Sequence, residues 1–530
     1  MTFEVPAKQR AVQLTGPDTL RLNSEKPVTP PGPHQILCKV EAVGLCFSDL
    51  KLLKQFSQHV RKSEITSGID SAVLPEIPSY VPREAPTVPG HEAVVRIWSV
   101  GDKVTGRRIG ERYLVQADYR WLKTAAANAA FGYNFEGALQ EFVLMDERVI
   151  TSPEGESMLI PASDKLSDSA VALVEPWACV EDAYASAERR SAKAGGRMLT
   201  VSDERVQGKP DIQVATAANL DSIPDSTYDD VIYYGSQAEV IEGLYRKLAP
   251  HGLLNIVLCG QRISRPVATP VGQVHYGGIR IVGTTGCEPA DAMRTIPQSG
   301  EIRPGDMINV IGAAGPMGVM HVVRDACSGI PDLSILAGDL DGVRLAALSR
   351  IAEPLARDNC VNFSTYNPKA GAPGCPPSYT IVMVPAPGLV AEAVSQSGEG
   401  GIINIFAGIP ADVYVDINLN VYIEKRLYLI GTSGSTLDDM KAVLAKVERG
   451  ALDTNLSVAA VCGLDGALDG MRAIEERRIS GKIIVYPSCH DLGLVGLDEM
   501  DERLPNVAKL LDRGMWTGEA ERALLAVCGG

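Results

Sequence analysis

Four side chains of the types that bind a catalytic metal ion lie in the first third of the chain. Cys46 lies in the segment GLCFSD, His91 and Glu92 lie in PGHE, and Glu175 lies in VEP. A thiolate, an imidazole and carboxylates together suit a zinc ion that keeps one position open for substrate. Each residue alone has an ordinary structural explanation, since a single cysteine is most often a small buried side chain. As a set they predict one catalytic zinc site.

A second candidate site follows the strand-like segment 305–311. The next seven residues, GAAGPMG, open an apolar helix, and such glycines let the backbone approach a pyrophosphate that the helix N–H groups face. The following strand ends in a carboxylate 21 positions beyond the last glycine, where it can accept both ribose hydroxyls of NAD and repel the 2′-phosphate of NADP. An ordinary turn with a helix-packing glycine is the alternative, and a nearby arginine leaves NADP open. The predicted NAD(H)-binding residues are Gly312, Gly315, Pro316, Met317, Gly318, Asp339 and Arg344.

The elements that must position these residues change character along the chain. Residues 1 to about 150 are β-rich, with Pro and Gly turns, whereas from about 190 apolar strands alternate with helical patterns typical of a parallel α/β sheet. Segments starting at 228, 252 and 281 recur in the same order at 379, 401 and 429, the last pair 148 positions apart. This repeat predicts two copies of one α/β half-domain. The first copy has no glycines after its strand GRMLTVSDE, so we expect no nucleotide site there.

The order of these features resembles the zinc-dependent medium-chain dehydrogenase/reductase superfamily. GxCxSD, PGHE, an EP dipeptide and GxxGxxG with a later acid occur in that order, and the glutamates resemble the polyol and sugar dehydrogenase branch. The segments YLVQA, GYNF, LVEPWAC and GMWTGEAE are similar to L-sorbose 1-phosphate reductase-like proteins. The resemblance covers about 1–187 and 299–530. It implies an α/β fold with a GroES-like β-rich catalytic domain and a doubly wound Rossmann sheet. The segment between these two stretches departs from the family, and the repeat predicts that it is a second, degenerate Rossmann-like lobe.

These features predict four segments. They are a first part of the GroES-like catalytic domain at 1–187, the degenerate duplicated lobe at 188–298, the NAD-binding Rossmann domain at 299–450, and a return to the catalytic domain with a C-terminal extension at 451–530. Two departures from the family concern the site. Cys46 and His91 lie 45 positions apart, farther than is usual, and no four-cysteine lobe lies between Arg112 and Glu141, so at most one zinc is expected.

The resemblance implies hydride transfer between NAD(H) and a secondary alcohol or ketone of a sugar, a polyol or a sugar phosphate, with zinc acting as a Lewis acid. Cys46, His91 and Glu92 are the first-choice ligands, and Glu175 either completes the shell or acts through a water. Ser48 is implied to relay the proton of the substrate hydroxyl towards solvent, unless it only caps a turn. The basic residues near the long loop either meet a substrate phosphate or lie on a solvated surface: His59, Arg61, Lys62 and Arg83.

Composition narrows the classes of partner. Lys and Arg total 50 against 65 Asp and Glu, a net charge of −15, which disfavours nucleic acid. Eleven scattered cysteines without a CxxC pair, no long apolar run and no leader-like start predict a reduced, cytoplasmic chain without a membrane partner. The resemblance implies a homodimer or homotetramer, because cofactor-domain sheets in this superfamily often join edge to edge. The alternatives are a dehydrogenase of a non-phosphorylated alcohol, a zinc-free reductase, or a catalytically inactive NAD(H)-binding sensor or scaffold.

Overall fold

The computed structural model describes residues 4–203, 213–214, 220–371, 374–432 and 434–528. The chain divides into two compact units, Met1–Ala178 with Ser435–Gly530, and Cys179–Gly434. The first boundary between the two units lies inside the continuous helix Val174–Ala185, so no Pro- or Gly-rich linker marks it in the sequence. The chain therefore passes from one unit to the other at 178/179 and at 434/435. The division of the second unit into a degenerate lobe and an NAD-binding domain stays a prediction.

The first unit is built on an eight-stranded sheet. All its neighbouring strands pair antiparallel except Val458–Cys462 with Lys482–Val485. Its order is Leu159–Pro161, Arg112–Val115, Glu92–Val100, Gln35–Gly44, Lys482–Val485, Val458–Cys462 and Val495–Gly496, with Phe142–Asp146 also paired to Gln35–Gly44. Two smaller antiparallel sheets contain Lys8–Gly16 with Thr19–Pro27, and Asp118–Thr124 with Ile65–Ser67 and Asn128–Ala130. The β-rich prediction for this region agrees with these strands.

Short helices connect the strands of the first unit. They are Phe47–Gln55, Glu147–Ile150, Asp168–Ala172, Leu437–Glu448, Ala467–Glu475, Met500–Arg503, Pro505–Ala508 and Gly518–Cys528, with 3-10 turns at Phe56–Gln58, Val60–Lys62, Leu74–Glu76, Thr454–Ser457, Leu464–Gly466 and Leu497–Glu499. The last helix is tied to the rest by a buried carboxylate. Glu521 accepts hydrogen bonds from the backbone N–H groups of Asp168 at 2.5 Å and Ser169 at 2.8 Å, which caps the helix that precedes Glu175.

The second unit contains a six-stranded parallel sheet. Its spatial order is Asn362–Tyr366, Ser334–Gly338, Met307–Ile311, Tyr379–Val382, Ile402–Ile405 and Tyr428–Ile430. In chain order this is third, second, first, fourth, fifth and sixth, the arrangement of a doubly wound nucleotide-binding fold. The connecting helices are Pro316–Ala326, Gly342–Asp358, Pro387–Gln396 and Leu419–Glu424.

A five-stranded parallel sheet precedes it in the same unit. Its order is Gln213–Val214, Met198–Ser202, Tyr228–Tyr234, Leu248–Val257 and Arg280–Thr284, with helices Ala238–Tyr245, Val271–Tyr276 and Pro289–Thr295. Strand Val267–Thr269 pairs antiparallel with Val415–Ile417, which joins this part to the six-stranded part. The predicted mixed α/β class with parallel sheets is confirmed. Within the described ranges, no helix has both the length and the apolar composition needed to span a membrane.

Candidate metal centre and cofactor loop

Three of the predicted metal ligands converge in the first unit. Cys46 begins the helix Phe47–Gln55, while His91 and Glu92 lie at the start of the strand Glu92–Val100. One donor atom from each of Cys46, His91 and Glu92 lies within 4.8 Å of the other two. His91 and Glu92 are buried. Sulfur, nitrogen and oxygen donors at this spacing fit a zinc ion.

A buried carboxylate, Asp49, connects two of these ligands. Its Oδ2 accepts a hydrogen bond from the Cys46 backbone N–H at 3.0 Å, and its Oδ1 lies 3.2 Å from His91 Nδ1. Burial lowers the pKa of His91, but its interactions with Asp49, Tyr133 and Cys46 together outweigh this effect and leave the pKa well above its usual range. Asp49 therefore orients the imidazole and leaves its other nitrogen, Nε2, for a ligand.

Two hydroxyl groups lie beside this imidazole. Ser48 Oγ is 3.2 Å from His91 Nε2, and the Tyr133 ring lies 5.7 Å from the His91 ring between centroids. Burial raises the pKa of Tyr133, and a hydrogen bond with Ser48 opposes that rise. Ser48 is thus placed between the imidazole and a buried phenol. We did not single out Tyr133 from sequence, although it lies in the segment GYNF that carried the resemblance.

Glu92 is held by a buried lysine that sequence reasoning missed. Lys482 Nζ donates to Glu92 Oε1 at 2.5 Å, whereas Glu92 Oε2 has no hydrogen-bond partner in the part of the chain that is described. Burial lowers the pKa of Lys482, but Glu92, Cys46 and Glu175 together outweigh this effect and raise the pKa, which keeps the group charged. A Cβ atom at Gly44 would lie 2.2 Å from Glu92 Oε2, so glycine makes room for this carboxylate. One carboxylate oxygen is paired and the other is free to bind a cation.

Glu175 lies in the first turn of the helix Val174–Ala185 and is half-buried. Burial raises its pKa to about 7, with His91 opposing the rise and Glu92 adding to it. It therefore interacts electrostatically with the cluster. The group of donor atoms within 4.8 Å contains Cys46, His91 and Glu92 but not Glu175.

Two of the four basic residues near the long loop, Lys62 and Arg83, bind other groups of the protein. Lys62 is fully buried, and its ammonium group donates to the carbonyl oxygens of Val81 and, at 2.7 Å, Ala85. It is neither available to a substrate phosphate nor on a solvated surface, so both possibilities raised by the sequence are wrong for this residue. Arg83 pairs with Glu64 at 2.9 Å on the surface.

The other two loop residues lie against Tyr133. The ring of His59 is 5.1 Å from the Tyr133 ring, and burial together with Arg61 and Lys51 lowers the pKa of His59 to about 4. The guanidinium carbon of Arg61 lies 5.6 Å from the Tyr133 ring centroid. Its side chain has no hydrogen-bond or ion-pair partner among the residues described. Arg61 is therefore an uncompensated cation one ring away from His91.

The local structure of the glycine loop in the second unit requires glycine at Gly312 and Gly318 but not at Gly315. Gly312 has φ +83°, and a Cβ on Gly318 would lie 2.5 Å from the Gly312 carbonyl oxygen. Around Gly315 the nearest atom to such a Cβ is 3.8 Å away. Pro316 and Met317 form the first turn of the helix Pro316–Ala326, where proline is favourable because its missing N–H has no partner to lose.

The acidic residue predicted for the ribose follows the second strand, beside this loop. Asp339 accepts hydrogen bonds from the N–H groups of Ala314 at 3.2 Å and Asp341 at 3.1 Å. Arg344 lies one turn into the helix Gly342–Asp358, with its Nε 3.9 Å from a carboxylate oxygen of Asp341. The loop and its carboxylate are thus adjacent, as a nucleotide site of this kind requires.

Comparison with known proteins shows similarity in sequence. Residues 32–154 match the alcohol dehydrogenase GroES-like domain family. L-sorbose 1-phosphate reductase of Klebsiella pneumoniae is 27% identical over 238 residues, which cover 42% of this chain and 56% of that protein. The chain thus spans less than two thirds of the length of this curated relative.

Solved structures show the same fold. 2R,3R-butanediol dehydrogenase of Bacillus subtilis matches with a TM-score of 0.54 and 16% identity, over 91% of this chain and all (100%) of the other. A proposed zinc-binding dehydrogenase of Sinorhizobium meliloti 1021, bound to NADP, matches with a TM-score of 0.52 and 14% identity, over the same 91% and 100%. Together with the matching domain, they confirm that this chain resembles the medium-chain dehydrogenase/reductase superfamily.

Proposed function

We propose that the chain is a zinc-dependent oxidoreductase that transfers a hydride between NAD(H) and a secondary alcohol or ketone of a sugar, a polyol or a sugar phosphate. The observation that carries this proposal is the convergence of Cys46, His91 and Glu92 donor atoms within 4.8 Å. Zinc bound there supplies Lewis acidity that polarises a substrate hydroxyl or carbonyl. Glu175 completes the ligand shell, or acts through a water.

The chain's own hydroxyl groups support proton transfer at this site. Ser48 can donate and accept at once, so it passes the proton of the substrate hydroxyl onwards. Burial raises the pKa of Tyr133, which keeps that phenol protonated at neutral pH beside the imidazole of His91. Asp49 keeps the imidazole of His91 in one orientation during this step.

The cofactor is NAD(H) in this proposal. Gly312, Gly315 and Gly318 would let the backbone N–H groups at the start of a helix reach the pyrophosphate, and the Asp339 carboxylate would accept hydrogen bonds from the ribose hydroxyls. A 2′-phosphate would meet the same carboxylate, which disfavours NADP(H).

Among the substrates considered, Arg61 favours a sugar phosphate. The protein carries a net charge of −15, and yet this arginine is left without a carboxylate partner in the described part of the chain. Its charge opposes the burial-driven rise in the pKa of Glu175 to about 7, so it acts within the electrostatic range of the metal cluster. A guanidinium group stacked on a ring presents a fixed fork of donors that matches a phosphate. The buried Lys62 beside it anchors this turn to two carbonyl oxygens.

The test is NADH consumption by the purified protein with L-sorbose 1-phosphate and, in parallel, with L-sorbose, each before and after zinc is removed and restored. Zinc-dependent turnover of the phosphate in preference to the free sugar is the expected result. Turnover of the free sugar alone would move the assignment to a non-phosphorylated polyol. Bound NADH without turnover of either compound would favour the sensor or scaffold.

Arg61→Gln tests the phosphate assignment, with Arg83→Gln as the matched control because its guanidinium group is already paired with Glu64. Loss of a charged phosphate contact costs about 2 kcal/mol, so Arg61→Gln should raise KM for the phosphate about thirtyfold. The kcat, and KM for L-sorbose, should change less than threefold. Equal effects of the two substitutions would contradict a specific role for Arg61.

A further inference from the structure

The repeat in the second unit includes the elements at which its two parallel sheets meet. A shift of 148 positions places Val267–Thr269 on Val415–Ile417 and the helix Val271–Tyr276 on Leu419–Glu424, with the bounds of both elements matching residue for residue. Both helices are followed by a residue with positive φ at the same shift, Gly278 at +64° and Arg426 at +53°. Each copy therefore brings the same strand and the same helix to the junction.

The strand register at this junction has two-fold symmetry. Val267 pairs with Ile417, Ala268 with Asp416, and Thr269 with Val415. Under the shift of 148 positions, Asp416 is the counterpart of Ala268, so the central pair joins two equivalent residues. Val267 pairs with Ile417, the counterpart of Thr269, and Thr269 pairs with Val415, the counterpart of Val267. This is the rule of an isologous contact, in which the same patch on two bodies pairs with itself.

Packing on the next strand repeats the exchange. A Cβ on Gly283 would lie 2.7 Å from the Ile423 side chain and 2.9 Å from the Ile256 carbonyl oxygen. A Cβ on Gly431, the counterpart of Gly283, would lie 2.8 Å from the Cα of His275 and 3.0 Å from the Ile405 carbonyl oxygen. Since His275 is the counterpart of Ile423, each copy's glycine receives the other copy's helix. A glycine is needed at both positions for the same reason.

The polar contacts and the apolar core show that the junction is a packed interface. Tyr422 Oη donates to the Ile281 carbonyl oxygen at 2.8 Å, and Asn420 exchanges hydrogen bonds with both backbone groups of Ile263 at 2.8 and 3.0 Å. One continuous buried cluster takes side chains from both sheets, among them Leu254, Ile281, Ile403 and Leu429. The first copy has thus kept the interface elements, while it has no glycines where the second copy has its nucleotide loop.

We propose that residues 188–298 are an internal two-fold partner of the cofactor-binding sheet. They occupy, within one chain, the face through which two copies of a shorter chain would associate. The strand Val415–Ile417 is therefore not available to a second chain. Each chain of 56.5 kDa has the glycine loop in only one of the two halves that this internal two-fold symmetry relates. It differs from the expectation of a homodimer or homotetramer whose cofactor-domain sheets join edge to edge, and it does not depend on the proposed reaction.

Asp416→Cys alone provides the decisive test. If two chains paired through this strand about a two-fold axis, the same exposed residue of each chain would lie face to face, and oxidised glutathione would link them into a dimer. The proposal expects the single variant to stay monomeric on a non-reducing gel. The double variant Ala268→Cys/Asp416→Cys should instead close a disulfide within one chain, because these two residues are directly opposite.

The double variant is prepared as an equal mixture of ¹⁵N-labelled and unlabelled protein, and the linked peptide is analysed by mass spectrometry. Only fully labelled and fully unlabelled linked peptides are expected, since both cysteines belong to one chain. Peptides of mixed labelling, or an Asp416→Cys dimer, would overturn the proposal. The unsubstituted chain and Ala268→Cys alone control for the eleven native cysteines. Equal melting temperatures of the reduced variants and the parent check that the fold is retained.

Discussion

The candidate metal-binding cluster of Cys46, His91 and Glu92 and the glycine loop at 312–318 are built in opposite ways. The cluster assembles side chains from positions 46, 91 and 92 and pairs one of them with Lys482, which is 390 positions away from Glu92. The loop uses backbone groups of the contiguous residues 312–318 and a single carboxylate from the next strand. The cluster therefore depends on long-range folding and on buried charge, and the loop depends on local backbone shape. Substitutions should affect the two regions separately and by different amounts.

The largest difference between the effects on the two regions is expected from His91→Ala. Loss of one of the three converging ligands should reduce bound zinc to below about 0.1 per chain and lower kcat/KM about 1,000-fold, since a catalytic zinc site needs about three protein ligands. NADH binding, measured by fluorescence titration, should change less than twofold. His251→Ala, in the second unit, serves as the control. Retention of both zinc and activity in His91→Ala would remove the cluster from the mechanism.

Lys482→Met tests the buried charge of the cluster in the zinc-free protein. It leaves the Glu92 carboxylate buried without its cation, and removal of one partner of such a pair costs about 3 kcal/mol of the free energy of unfolding. Lys482→Met/Glu92→Gln should recover most of that loss, because no uncompensated charge remains. Lys8→Met, which removes an exposed pair with Glu25, should cost less than about 0.5 kcal/mol. Urea denaturation measures all three, and equal losses for the two lysines would contradict the role of Lys482.

The glycine loop should respond differently at two of its positions. Gly318→Ala brings a Cβ to 2.5 Å from a backbone carbonyl oxygen, so it should lower the melting temperature by several degrees. Gly315→Ala meets nothing closer than 3.8 Å and should leave the melting temperature unchanged, while it weakens NADH binding about tenfold by filling space next to the pyrophosphate. Zinc content should stay the same in both. Unchanged NADH affinity in Gly315→Ala would place the cofactor elsewhere.

The same contrast decides what the sequence could predict. The adjacency of the loop and Asp339 is predictable because their spacing is local. Cys46, His91 and Glu92 are predicted as ligands because each lies in a short recognisable segment, and the structure brings their donor atoms together. Lys482 was missed as a partner, since an ion pair between residues 390 positions apart follows from strand order and not from spacing. Asp49 was missed, although it lies in the segment GLCFSD, because its contact with His91 joins two segments of the fold. The sequence leaves Lys62 either at a substrate phosphate or on a solvated surface, because nothing in it indicates that the side chain is buried against two carbonyl oxygens. The repeat was visible in sequence, but its two-fold register needed the strand pairing.

The smallest expected effect concerns the choice between the two nicotinamide cofactors. Asp339→Asn keeps an oxygen that can accept from the Ala314 N–H but removes the charge that would repel a 2′-phosphate. The ratio of kcat/KM for NADPH to that for NADH should therefore rise about tenfold, equivalent to about 1.4 kcal/mol. Asp341→Asn, which removes a nearby charge from the cap of the next helix, should change the ratio less than threefold. Equal shifts would mean that general charge near the loop, and not the position of Asp339 beside Ala314, sets the preference.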